Sequence, residues 1–291
     1  MLPFFRNHVS YAVMMGLVVP FNVLAISWYP RKSFKQRFLI FSLIIILIAV
    51  YFAYTRAIWI ALAAAVIIIP IIKKGWLKYF LYTGFASILI FVFYMGYHNN
   101  YLDYAPNYEQ TIYHNDLDEH LKSTFEGKDV SSAERIYRWI AGSKMWMQHP
   151  LVGYGPGNFY NFYKEFTVTS FTTYVSDNPE KSSVHNYFLL ILVEQGMTGL
   201  MIFTILLFVV LTRGQKIYLQ TESKAEKNYV MALLVCIIIL VINLMLNDLI
   251  EADKTGSIYF ICIALLVNQD IENRNLLQRN YNDVMRKNAL S

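Results

Sequence analysis

Apolar residues in this chain fall in long blocks separated by short polar or basic breaks. The blocks cover about 9–29, 38–53, 57–72, 77–97, 184–212, 229–247 and 255–268. A helix needs roughly 20 residues to cross a hydrocarbon core about 30 Å thick. The pattern therefore predicts an all-α, polytopic membrane helix bundle of about seven spans. Blocks 38–53 and 57–72 could be drawn as one long helix. Their flanks decide otherwise: Arg31, Lys32, Lys35 and Arg37 precede the pair, and Lys73, Lys74 and Lys78 follow it. Both flanks belong on the cytoplasmic side, so the chain goes out and returns, turning at "YTRA", residues 54–57. Arg213, Lys216, Lys224, Lys227 and the basic tail residues Arg274, Arg279, Arg286 and Lys287 fit the same inner side.

This topology leaves one large outer, periplasmic loop between 98 and 183. The organisation is then 1–97 as N-terminal membrane helices, 98–183 as a loop domain, 184–268 as C-terminal membrane helices and 269–291 as a cytoplasmic tail. So long a connection in a compact protein is expected to fold and to carry function. Its first part, 98–130, is acidic and rich in tyrosine. Its second part, "SSAERIYRWIAGSKMWMQHP", predicts a helix over roughly 132–148, with Ser131 and Glu134 as a capping box and Pro150 ending the run. Arg135, Arg138, Gly142 and Met145 fall on one face of that helix. "LVGYGPGNF" follows as a glycine-punctuated turn.

Composition agrees. Hydrophobic residues make up 56% and charged residues 15%, against roughly 25% charge in soluble domains. The net charge of +5 is spread over many loops, which excludes a nucleic-acid partner, since that needs a clustered basic stripe. Cys236 and Cys262 lie inside apolar runs and read as buried small hydrophobes. No cleavable signal peptide is evident.

A few polar residues stand out. Arg56, at the end of an apolar hairpin, either snorkels to headgroups or faces the bundle as an anion site. Arg135 and Arg138, spaced i, i+3, suit the oxygens of a phosphate or diphosphate; the alternative is a solvated helix pairing Glu134 with Arg138. Tyr137, Trp139 and Trp146 read as interface anchors or sugar platforms. His185 opens the fifth span at headgroup depth, where an imidazole with an ordinary pKa near 6.5 can serve as a general base. Equally, His185 and Asn186 could be a helix-capping pair. Glu194 lies on the opposite helix face from His185, and Gly196 and Gly199 permit close packing. His98, His114 and His120, with Asp116 and Asp118, lack compact ligand spacing, so no metal site is expected. "GYGPG" lacks the lysine and serine of a phosphate-cradling loop and reads as a plain turn.

Together, "TRAIW" in a hairpin turn, "ERIYRW…HPLVGYGPGNF" in an outer loop and "HNYFLLILVEQGMTGL" opening a span resemble the O-antigen ligase and polymerase superfamily, in its C-terminal portion. The usual serine before the hairpin arginine is Thr55 here, which keeps the hydroxyl. The resemblance implies a metal-independent, cofactor-free glycosyltransferase of the bacterial inner membrane, with its active site facing the periplasm. Such enzymes move a glycan from undecaprenyl diphosphate to a hydroxyl on lipid A core, a growing glycan or a protein. By the resemblance, Arg56, Arg135 and Arg138 bind the diphosphate, and His185, with Arg138, is catalytic. The competing readings are a transporter or flippase of lipid-linked sugars, whose charges would sit near the bilayer midplane, and a truncated, inactive family member.

Overall fold

The computed structural model describes residues 4–5, 8–97, 130–167 and 183–290, and they are all-helical or irregular. The helices are α1 (His8–Ser27), α2 (Phe34–Phe52), α3 (Arg56–Lys73), α4 (Leu77–Gly96), α5 (Val130–Gln148), the short α6 (Phe159–Phe162), α7 (Tyr187–Gln220), α8 (Lys224–Leu244) and α9 (Asp253–Leu290). Among the described residues six helices are long and apolar enough to cross a membrane: α1 to α4, α7 and α8. The seventh apolar block, 255–268, is the start of α9 and falls short. Asn268, Gln269 and Asp270 interrupt it, and about 14 residues rise only about 21 Å, well under the bilayer core.

The chain divides into two compact units. The first comprises Met1–Phe80, Leu206–Leu244 and Leu249–Ser291. Helix α8 is its centre, packed against α1, α3 and α9. Apolar side chains from Val230 to Leu240 are buried around almost the whole circumference of α8, as expected of a helix enclosed by others. Close approach at the α1–α3 contact depends on Gly16, where a Cβ would stand 2.4 Å from Ile58 Cδ1. In contrast, α2 exposes Phe38, Phe41, Ile44, Ile45 and Ile48, an apolar surface suited to lipid. Polar ties gather at one end of this unit. Arg213 grips Asp270 with a fork of bonds at 2.7 to 3.2 Å, Arg274 joins the same carboxylate at 2.7 Å, and Gln215 Nε2 donates to the Ile72 carbonyl at the end of α3.

α2 and α3 are two helices, as the basic flanks predict, with the break at Ala53–Thr55. Trp59 closes the corner. Its indole N–H donates to the Val50 carbonyl at 3.2 Å, and its ring stacks on Tyr51.

The second unit comprises Leu81–Ile205 and Met245–Asp248. Its core joins Tyr137 and Met145 of α5, Phe159 and Tyr163 of the following turns, and Val184, Leu190 and Val193. The helix expected at 132–148 is α5, and its buried face carries Tyr137, Arg138, Ala141, Gly142 and Met145. Ser131 sits inside the helix rather than before it, and the side chains of Ser131 and Glu134 lie outside the described residues. So do the acidic, tyrosine-rich stretch up to 129 and His98, His114, His120, Asp116 and Asp118.

The block expected as one span at 184–212 differs in the structure. α7 is broken at Gly196, whose φ of 68° and ψ of −168° are not helical. An outer half, Tyr187 to Gln195, packs Leu190 and Val193 into the core of the second unit, and an inner half runs from Met197 to Gln220. The apolar residues 187–193 thus face protein as well as serving hydropathy. One neighbouring segment, 150–159, satisfies the groups that a helix break exposes. The N–H groups of Tyr154 and Gly155 donate to the carbonyls of Val193 and Glu194, at 3.0 and 2.8 Å, and so close the outer half. The carbonyls of Pro150 and Leu151 accept from Met197 N–H at 2.8 Å and from the Thr198 N–H and hydroxyl, at 3.4 and 2.9 Å, and so open the inner half.

Candidate functional site

The second unit holds the four-residue approach to α7, Ser183 to Asn186. Each of its residues is held. The Arg138 guanidinium, on a residue only 2% exposed, donates through Nη1 to the Ser183 carbonyl at 3.1 Å. Val184 is fully buried, and Gly142, one helical turn beyond Arg138, makes room for it: a Cβ there would lie 3.2 Å from Val184 Cγ2. The His185 N–H donates to Ser183 Oγ at 3.2 Å. Asn186 Oδ1 accepts from the Leu189 N–H at 3.1 Å, an N-cap on the outer half of α7.

Asn186 therefore supplies a cap. His185 stands just before that cap with φ of 52°, the left-handed region that costs a side-chain-bearing residue roughly 1–2 kcal/mol. Such a conformation persists only where the surroundings over-determine it, and here the bonds on either side do so. Its imidazole is half-buried.

Arg135 lies one turn before Arg138 on α5 and is more exposed than it. Burial raises the Tyr137 phenol above its ordinary value. Arg56 belongs to the first unit. It is the first residue of α3, directly after the buried Thr55, whose hydroxyl turns back to donate to the Ala53 carbonyl at 3.1 Å instead of capping the helix. Arg56 is half-buried, and the Trp59 corner fixes the backbone that carries it. The structure thus joins Arg138 to the segment of His185 within one unit, while Arg56 is positioned by a separate device in the other.

Glu194 does not orient His185. It is buried, and its carboxylate accepts two backbone N–H groups, from Gly157 at 2.8 Å and from Phe159 at 3.1 Å. With the Tyr154 and Gly155 bonds, four amides of the "GYGPGNF" turn are spent on Val193 and Glu194. This turn is accordingly a clasp on α7 and no phosphate cradle. Gly153 permits it, because a Cβ there would meet Val193 O and Glu194 C at 2.5 Å. Sequence reasoning had the turn and the carboxylate separately but missed their pairing, and missed Ser183, Gly142 and Trp59 as supports.

The three motif regions, the hairpin arginine, the clasped turn and the histidine segment, are brought under one heading by comparison with known proteins. The model of the O-Antigen ligase family matches residues 41–204, more than half of the chain. No curated protein and no solved structure matches.

Proposed function

Because the chain belongs to the O-antigen ligase family, we propose that it transfers a glycan from an undecaprenyl-diphosphate-linked donor to an acceptor hydroxyl at the periplasmic face of the bacterial inner membrane. The acceptor is lipid A core, a glycan or a protein. His185 takes the proton of that hydroxyl as its oxygen attacks the anomeric carbon. The bond from that carbon to the diphosphate oxygen breaks, and its electron pair leaves with undecaprenyl diphosphate. Charge grows on the departing diphosphate, and guanidinium groups stabilise it without proton transfer. Arg135, half-exposed on α5, and Arg56 serve this role, with Arg138 holding the segment that carries the base.

The observation that carries this reading is the clamp on His185. A strained, non-glycine backbone is fixed between a buried arginine's carbonyl contact and a helix cap, which sets the point from which the imidazole extends. Arg56 adds support. A cation at the N-terminal end of a helix opposes the helix dipole by roughly 0.3–1 kcal/mol, and an anion bound there would offset that cost.

The test is His185→Ala in proteoliposomes supplied with a synthetic lipid-diphosphate glycan. Removing a positioned base should lower transfer by roughly 10²- to 10⁴-fold, with membrane insertion intact. Wild-type turnover by the variant would refute the assignment.

A further inference from the structure

We infer that the turn Pro150–Val152, with the end of α5, is a wedge that inserts into the lipid leaflet next to the second unit. The argument starts from the inner half of α7. From Met197 to Thr212 it is apolar, and at about 1.5 Å per residue it rises only about 24 Å. Arg213 follows, locked to Asp270, so the hydrocarbon ends there on one side. A core about 30 Å thick must then extend at least to Met197 on the other. Pro150 and Leu151 are hydrogen-bonded to Met197 and Thr198, which puts the turn at or within that boundary.

The side chains match this depth. Leu151 is 67% exposed and Val152 70% exposed, and Met147 is comparably bare. In water such a cluster would be a liability. On α7, the exposed Met201, Ile202 and Ile205 fall within about 60° of Thr198 at about 100° per residue. Thr198 is the residue whose hydroxyl holds the Leu151 carbonyl. The bare turn is thus continuous with the lipid-facing stripe of the span. Trp146, whose indole N–H donates to the Pro150 carbonyl at 3.1 Å, has the amphipathic ring found at such boundaries. Asn158 and Asn161 bond each other on the polar side of the same clasp.

The wedge stands on this geometry alone. What it would do rests on the function proposed above: it fixes the height of His185, which lies less than about 20 Å along the outer half of α7 from the break, so that the base stays level with a lipid-borne diphosphate.

The test labels Leu151→Cys with an environment-sensitive nitrobenzoxadiazole dye in proteoliposomes without any donor, with Asn161→Cys as the polar control and the unsubstituted chain as the background for buried Cys236 and Cys262. The expected result is quenching by lipids carrying a nitroxide high on the acyl chain, and severalfold weaker quenching by aqueous iodide than at position 161. Val152→Cys provides the same readout should Leu151→Cys fail to fold. Equal iodide access at 151, 152 and 161, without quenching by nitroxide lipid, overturns the proposal. So does shielding that appears only when a lipid-linked glycan is added, which would make this a sugar surface. Because no transfer is measured, the result stands apart from whether His185 is the base.

Discussion

Gly196→Ala tests the break in α7 most directly. The backbone there, at φ 68° and ψ −168°, lies in a region essentially reserved for glycine, and a side chain costs roughly 1–3 kcal/mol. A Cβ would also stand 2.2 Å from the Leu151 carbonyl oxygen and 2.5 Å from Val152 N. Both are backbone atoms, so no flexible tip can move aside. Relief requires the 150–152 turn to lift away, which sacrifices the bonds from Met197 N–H and from the Thr198 N–H and hydroxyl. Each is worth about 0.5–1.5 kcal/mol. Strain and lost bonds together come to about 2.5–7.5 kcal/mol, a large share of a typical stability of about 5–15 kcal/mol. Gly157→Ala is the matched control. It too has a left-handed φ, 75°, but nothing lies within 4 Å of the added carbon, so only the roughly 1–2 kcal/mol conformational cost applies. The assay is limited proteolysis of the 149–167 region in detergent micelles, calibrated by the midpoint of denaturation in sodium dodecyl sulfate. Gly196→Ala should expose that region to cleavage and shift the midpoint well beyond Gly157→Ala. Equal behaviour of the two variants would refute the reasoning, because it would mean that the clasp does not hold the break.

Two further substitutions address the supports of the site. Glu194→Gln keeps shape but can accept only one of the two N–H groups from Gly157 and Phe159, leaving an amide facing the other; with bonds to a charged group worth about 1.5–3 kcal/mol each, protease protection of the turn should fall, and Glu194→Gln with wild-type protection would show that the carboxylate is dispensable. Arg138→Lys keeps the charge but loses the planar fork, so the hold on Ser183 weakens; transfer in proteoliposomes should drop about 10- to 100-fold in kcat, at roughly 1.4 kcal/mol per tenfold, with KM for the donor little changed, and a purely KM effect would assign Arg138 to donor binding instead.

Much of the membrane architecture could be read in the sequence because hydropathy and basic flanks report the bilayer directly. The α2–α3 break is an example: the basic residues on both flanks, among them Lys73, Lys74 and Lys78, require two helices where hydropathy alone allows one. The apolar run 184–212 does hold a membrane-length helix, but its break at Gly196 is not legible in the hydropathy, for a physical reason. Leu190 and Val193 bury against Tyr137, Met145 and Phe159, and an apolar residue reads the same whether its neighbour is an acyl chain or a protein core. The glycine-rich turn was legible as a turn, yet its partner was not. The bonds from Gly157 and Phe159 to Glu194 join residues 35 to 37 positions apart, and no local pattern encodes such a pairing. The link between α5 and His185 was expected only from family resemblance, since Arg138 on a helix face looks the same whether it meets water, a diphosphate or the Ser183 carbonyl.

The reciprocal bonding across Gly196 also sets an order of assembly during synthesis. Residues 150–159 leave the ribosome before the helix ends they must clasp. Until 193–198 have been translated, the amides of Tyr154, Gly155, Gly157 and Phe159 and the carbonyl of Leu151 lack the partners they have in the folded protein. The clasp can close only once residues 193–198 have been made, so completion of the turn is tied to synthesis of the span that follows it. A ribosome halted before residue 193 would leave the turn made but unclasped.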